Sequence, residues 1–349
     1  MTLFFVTDRV DAHVARFDAL FETVTSDYQR VSVTYEEDGD PLATITGVTC
    51  HSWESIRESL SGEASVVISG PLDTVSTRLG NGEFRHIGIS FATDVMVTAA
   101  TDFGELGALR TLAPSLDAVV TDNYATENAL IALGVPLENV LRIPWGPEPS
   151  SSSSSLTRSD CGWPENRPLV LYPRSLEPHY APDVFVEALA KLVTKLPDVF
   201  AVFVESGSLV EEIKQEIATR GLADNAHFEA LREPDVFRSM MSCADVVVVT
   251  PRTDGTSVTV MDAMAHGIPV VSSLTAGSAE WVIEGITGWT FPVGDSDALA
   301  EAVERALTLE TDDKNLIIDN AQRLVGMKAG WAASSTRLTK VIHSFLAQH

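Results

Sequence analysis

Lysine is almost missing from much of this chain: none stands before Lys191. Lys and Arg together number 24 against 49 Asp and Glu, a formal net charge of -25. With no basic stripe to release counterions, nucleic acid is excluded as a partner. Lysine exposes a long apolar stem, whereas carboxylates hold water and cations tightly. Such a surface suits a cytosol at molar salt, where a Debye length of about 3 Å screens self-repulsion, so a halophilic source is expected. Cysteine is scarce too. Cys50, Cys161 and Cys243 are far apart and lack metal-ligand spacing, so reduced thiols are expected and no metal centre or disulfide framework. No apolar run reaches the roughly 18 residues that span a bilayer. The opening MTLFFVTDRV has no basic segment ahead of its apolar stretch, and reads as a buried strand, not a signal peptide. The expected location is cytoplasmic. Peripheral contact with the inner membrane face stays open, although no basic amphipathic helix supports it.

What the chain does have is apolar residues, 45% of 349, enough for two cores. Apolar runs alternate with amphipathic stretches, the pattern of parallel α/β structure. Strands are expected at 3–8, 30–35, 64–70, 85–91 and 117–122, with helices over 10–25 and 123–134. Six serines, Ser150 to Ser155, cannot pack a core and read as a flexible tether. The alternation then restarts: strands at 168–173, 199–206, 245–251 and 269–273, a helix at 182–193 opened by Pro182, and helix over roughly 313–348. Expected domains are 1–149, a linker at 150–160, a second domain at 161–330, and a closing helix at 331–349 that is free to return to the first. Two such α/β halves imply a cleft, with ligands at the carboxyl ends of strands.

The most informative window is TPRTDGTSVTVMDAMAHGIPVVSS, residues 250–273. A buried strand ends at Thr250, a polar loop with Gly255 follows, and a helix is expected from near Ser257 to Gly267. Such a helix start offers free backbone N–H groups and a positive dipole end, a receptor for phosphate or a sugar hydroxyl. Asp254 precedes it; Asp262 lies eight residues on, about two turns in, where burial without partners would be costly.

The window resembles the signature of the family-4 retaining glycosyltransferases, which have a GT-B fold of two Rossmann-like parallel-sheet domains facing a cleft. That family shows Glu, seven residues, Glu, Ala-Met, and Gly-x-Pro-Val-Val. This chain has Asp254, Asp262, Ala263-Met264 and Gly267 to Val271, each acid one methylene shorter. Arg174 in LYPRSLEPHYAPDVF matches the family arginine that clamps the donor diphosphate; the lysine that often follows is missing, with His179, Tyr180 and Arg252 as nearby candidates to compensate. Gly207 matches the second glycine of a pair after a strand, with Glu205 in place of the first. Segments 228–251, 279–295 and 133–148 also match in order; 68–75 and 89–96 resemble acceptor-side loops more faintly, and Phe91-Ala92 replaces a His-Gly or Trp-Gly pair.

The resemblance implies transfer of a sugar, with retention, from a nucleotide-diphosphate sugar to an acceptor hydroxyl of a glycan, lipid-linked or small-molecule acceptor. It implies catalytic roles for Arg174 and Asp254, and donor binding by Gly207, Gly255, Thr256, Ser257, Val258 and Asp262. No metal and no cofactor are implied beyond the donor substrate. Two rival readings are a non-catalytic relative that binds nucleotide sugars or glycans, favoured by the two aspartates and the missing lysine, and a nucleotide-sugar 2-epimerase, whose motifs are not matched.

Overall fold

The computed structural model describes residues 2–9, 12–61, 65–144, 146, 147, 156–230 and 234–347. The backbone divides into two compact units, Met1–Pro144 with Ala332–His349, and Trp145–Trp331. The expected serine tether, Ser150 to Ser155, lies outside the described residues.

The first unit is built on β1 (Thr2–Thr7), β2 (Tyr28–Ser32), β3 (Thr34–Tyr35), β4 (Pro41–Ile45), β5 (Val48–Cys50), β6 (Ser65–Ser69), β7 (Arg85–Ile89), β8 (Ala118–Thr121) and β9 (Val140–Arg142). Six of these form one parallel sheet in the order β2-β1-β6-β7-β8-β9. The expected strand 30–35 is interrupted. Val33 buries its side chain and donates its amide to Thr7, after which Thr34 and Tyr35 turn away to pair with Leu42 and Pro41. β3, β4 and β5 make a small antiparallel strip that the sequence pattern does not announce. Its tight turn places Thr46 at φ 49° and Gly47 at φ 84°, the two left-handed positions that a short hairpin of this twist needs. A phenylalanine cluster of Phe5, Phe17 and Phe21 seats the helix Ala12–Val24 on β1.

The second unit holds β10 (Leu169–Tyr172), β11 (Phe200–Glu205), β12 (Ala226–Ala230), β13 (Val246–Val249), β14 (Val270–Ser273) and β15 (Trp289–Phe291), all parallel, in the order β12-β11-β10-β13-β14-β15. The run Val246–Val249 shows why an unbroken apolar strand is needed here. Val246 and Val248 enter one core with Tyr172, Phe185, Phe203 and Phe291, while Val247 and Val249 enter the other with Met261, Met264 and Trp281. Each sheet face is covered, which is the Rossmann-like arrangement. Cys161 and Cys243, distant in sequence, pack into the same core, where the Cys243 thiol donates to the Leu156 carbonyl at 3.2 Å, and all three cysteines are free.

The expected helix over 313–348 is two helices, Thr311–Lys328 and Trp331–Leu346. The break falls at Ala329, where Gly146 passes so close that a Cβ there would lie 1.2 Å from the Ala329 carbonyl oxygen. The second of these helices packs on the first unit: Leu338 and Ile342 are buried, and Ser334 donates to the Pro144 carbonyl at 2.6 Å.

Candidate active site

In the second sheet, β10 and β13 are neighbours from which the chain departs in opposite directions, toward β11 and toward β14. Such a switch point opens a crevice at the carboxyl ends of the two strands. The loop after β10 carries Arg174, His179 and Tyr180; the loop after β13 carries Arg252, Asp254, Gly255, Thr256 and Ser257.

Ser257 is the N-cap of the helix Val258–Ala265, its hydroxyl accepting from the Val260 amide at 3.4 Å. A serine in this role satisfies one of the orphan N–H groups of the first turn and leaves others facing the loop. Arg174 Nη1 donates to the same hydroxyl at 3.3 Å, and Nη2 lies 3.4 Å from Asp254 Oδ2. Both side chains are largely buried, Arg174 with 13% and Asp254 with 15% of the side chain exposed. Asp254 Oδ2 accepts no hydrogen bond. The structure therefore brings Arg174, Asp254, Gly255, Ser257 and Val258 to one helix start. Thr256 is buried beside them.

Electrostatics follow from this packing. Burial pushes the Asp254 carboxyl above the usual carboxylate range, and the Arg174 charge and the Gly255 N–H only partly offset it. Burial is the largest single influence on Arg174 and works against its charge, but Asp254 together with Tyr180 and Tyr172 outweighs it, and the guanidinium is held more firmly protonated. His179 is pushed down by burial and by the Arg174 charge beside it. The site thus keeps a fixed cation with donors to spare next to an oxygen with acceptor capacity to spare.

Two glycines let backbones meet here. Gly207, at φ 114°, lies where a Cβ would fall 2.5 Å from the Leu176 carbonyl oxygen. It presses the loop after β11 against the loop that bears Arg174, and Leu176 closes that contact by donating to Ser206 and accepting from Leu209. Gly277 is not among the residues that the sequence motifs point to. A Cβ on it would fall 2.1 Å from the Gly255 carbonyl oxygen and 2.6 Å from that of Asp254, so it packs under the site loop. Its one signal in the sequence is its place, a glycine in the short polar turn after β14.

Asp262 is 8% exposed on the same short helix, five residues past its N-cap. His266 caps that helix at its other end, with Nδ1 2.7 Å from the Asp262 carbonyl oxygen. Of the candidates to replace a lysine, Tyr180 lies over Arg174, while Arg252 pairs with Asp183 at 3.5 Å on the surface. Among the described residues, no group of three or more His, Cys, Asp or Glu is arranged to hold a metal ion.

In the first unit the switch point lies between β1 and β6. Asp94, buried, gathers the neighbouring loops: it accepts from the Leu72 amide at 2.8 Å, the Ser90 hydroxyl at 2.8 Å and the Phe91 amide at 3.0 Å. Burial pushes its carboxyl up to about 6, against those bonds. Ala92 sits at φ 67°, with Thr93 donating to Phe91 across it, a strained turn for a residue with a Cβ. Arg9 lies over the Phe91 ring, 4.4 Å from its centroid.

Comparison with known proteins bears on the family and the fold. Residues 154–324 match the family model described as Glycosyl transferases group 1. A GDP-mannose-dependent alpha-(1-6)-phosphatidylinositol monomannoside mannosyltransferase of Mycolicibacterium smegmatis is 24% identical over 257 residues, 70% of this chain and 58% of that protein. An alpha-D-kanosaminyltransferase of Streptomyces kanamyceticus is 26% identical over 180 residues, 51% of this chain and 46% of that protein. The chain thus spans about half the length of these curated relatives. In fold, it is similar to Anabaena Alr3699/HepE solved with UDP-glucose, with a TM-score of 0.81, 16% identity, and 99% and 100% of the two chains covered. It is also similar to a sucrose-phosphate synthase from Thermosynechococcus elongatus, with a TM-score of 0.77, 16% identity, and 100% of each chain covered. These likenesses are of fold, and the fold is GT-B: two Rossmann-like units with all-parallel sheets.

Proposed function

We propose that this chain, whose second unit is a glycosyl transferases group 1 domain, moves a sugar from a nucleotide-diphosphate sugar to an acceptor hydroxyl, with retention at the sugar's reacting carbon. The observation that carries the reading is the fork of Arg174, 3.3 Å from the N-cap hydroxyl of Ser257 and 3.4 Å from Asp254. A leaving diphosphate gains charge as its bond to the sugar breaks. A buried guanidinium and the free N–H groups of a helix start are complementary to that charge. Losing one such donor typically costs about 3–4 kcal/mol in the transition state. Asp254 Oδ2, a buried acceptor with no hydrogen bond, suits a hydroxyl of the donor sugar. Asp262, one turn deeper on the helix, suits the ribose hydroxyls at about 1.5–3 kcal/mol for a bond to a charged group. The phosphates' charge is met by protein groups, so no cofactor and no metal enter the proposal. The acceptor is a glycan, a lipid-linked sugar or a small molecule.

The test is release of nucleoside diphosphate from a panel of UDP- and GDP-sugars in high potassium chloride, together with calorimetric titration. Arg174→Ala and Asp262→Ala are expected to weaken donor binding by about tenfold or more while the far-ultraviolet spectrum holds; Arg174→Ala, which leaves the buried Asp254 carboxylate without its cation, is also expected to lower the unfolding midpoint. Unchanged affinity in both variants would remove the site assignment. Binding without release, across acceptors, would leave a non-catalytic relative that holds nucleotide sugars.

A further inference from the structure

The loop that presents Arg174 also presents an aromatic ring to it, and we infer that Tyr180 is a positioning residue for the guanidinium. This deepens the sugar-transfer reading and rests on it. Arg174 Cζ stands 3.8 Å from the centroid of the Tyr180 ring. A ring at that distance attracts the cation, while the N–H edge, which is the part that binds phosphate, reaches Ser257 and Asp254. The edge contacts themselves are long: 3.3 Å to Ser257 and 3.4 Å to Asp254. Neither is short enough to fix a flexible side chain by itself. The stack supplies the orientation that those contacts lack.

The ring is in turn held by its own backbone. The Tyr180 carbonyl accepts from the Tyr172 hydroxyl at 2.8 Å and from Thr250 Oγ1 at 2.6 Å, and Thr250 Oγ1 also lies 2.9 Å from the Ala181 carbonyl oxygen. The Arg252 amide donates to the His179 carbonyl at 2.9 Å. Ala181 adopts φ 47°, a left-handed conformation that an alanine keeps only where its surroundings impose it, and Pro182 then opens a helix. Tyr172 ends β10 and Thr250 follows β13, so the two strands that flank the crevice both grip the residue that carries the ring. From Arg174 to Ala181 the loop contains no lysine. The placement of one guanidinium therefore decides how well this loop meets a diphosphate.

The test is calorimetric titration of UDP and of GDP into the wild type, Y180F, Y180L, R174A and the double variant R174A/Y180L. Phenylalanine keeps the ring face and is expected to hold affinity within about threefold; leucine fills similar space without a quadrupole and is expected to lose about tenfold. The double variant should bind no more weakly than R174A, because both changes act through one group. Wild-type affinity in Y180L, a loss in Y180F equal to that in Y180L, or losses that multiply in the double variant would each overturn the inference. A second readout needs no nucleotide. In the wild type the Arg174 Nε proton, assigned by its loss in R174A, is expected to be displaced upfield by the ring current, and to move back in Y180L. If neither diphosphate binds the wild type while this displacement is present and lost in Y180L, the transfer reading falls and the positioning role stands. If the proton is not displaced, or does not move back in Y180L, the positioning role falls whatever the titrations show.

Discussion

At the scale of single residues, Asp254 and a phosphate would compete for the same edge of Arg174. Its Oδ2 is 3.4 Å from Nη2, and burial already makes the carboxylate's charge costly. Asp254→Asn keeps the shape and removes the rival charge. It is expected to tighten UDP or GDP binding by about threefold to tenfold and to lower sugar transfer by about 100-fold or more, since an amide is a weaker acceptor in the transition state. Calorimetry and diphosphate release read the two effects separately; a parallel fall in both would mean that the carboxylate's part is to hold Arg174. The first unit holds two buried groups whose titrations oppose each other. Asp94 is raised to about 6, so its contribution to stability is present at low pH and is lost as pH rises through 6. His86, with Nε2 2.7 Å from Ser69 Oγ and Nδ1 without a hydrogen bond, is lowered by burial to about 4; its contribution is present above its usual value and is lost as pH falls through 4. Each is on the order of 3 kcal/mol, with opposite sign, over one window. Urea midpoints between pH 4 and 7 should therefore change little in the wild type. His86→Phe should gain stability on acidification and Asp94→Asn should lose it. Identical pH slopes in all three proteins would refute the opposition.

At the scale of elements, the loop after β13 depends on a neighbour that supplies no side chain. A Cβ at Gly277 would lie 2.1 Å from the Gly255 carbonyl oxygen, a backbone atom that cannot step aside without moving Asp254. Gly277→Ala is expected to cost about tenfold or more in nucleotide affinity, with an unfolding midpoint lowered by a few degrees; a variant that binds like the wild type would show that the loop has slack. The elements differ in how far the sequence discloses them. Val246–Val249 is legible because it is apolar on every residue and buried on both faces. The helix start at Ser257 is legible from a polar loop with a glycine and a capping hydroxyl. β4, β5, β12 and β15 are not among the strands that the pattern predicts. They run three to five residues, carry Pro41, Thr44, His227, Glu229 or Thr290, and are held by pairing with their neighbours, for β12 and β15 across long stretches of chain. The break at Ala329 has a local signal in Gly330, whereas the close passage of Gly146, almost two hundred residues upstream, leaves none in the helical periodicity. The partnership of Arg174 with Tyr180 is equally hidden: the two lie six residues apart in an irregular loop, where no period relates them.

At the scale of the whole molecule, charge sets the conditions under which the fold survives. A net charge of -25 repels itself over both units, and salt shortens the reach of that repulsion from about 10 Å at 0.1 M to about 3 Å at 1 M. Salt also weakens exposed ion pairs such as Lys195–Glu304 and Arg305–Glu284, but pairs of that kind contribute roughly 0–1 kcal/mol each. Repulsion outweighs these pairs, so the thermal midpoint is expected to climb between 0.1 and 3 M potassium chloride. A scan that stays flat or descends would reverse that ranking. Among the described residues, no helix is long and apolar enough to cross a membrane.

The first unit is not one stretch of chain. It takes its last helix from beyond residue 331, with Leu338 and Ile342 fully enclosed and Ser334 bonded to Pro144. On a ribosome, residues 1–144 emerge first yet wait for their missing piece, while residues 145–331 are already whole. The later half of the message should mature earlier. A translation product stopped at residue 331 should show a protease-resistant second unit beside a first unit that is cut readily, and adding the remaining residues should seal it.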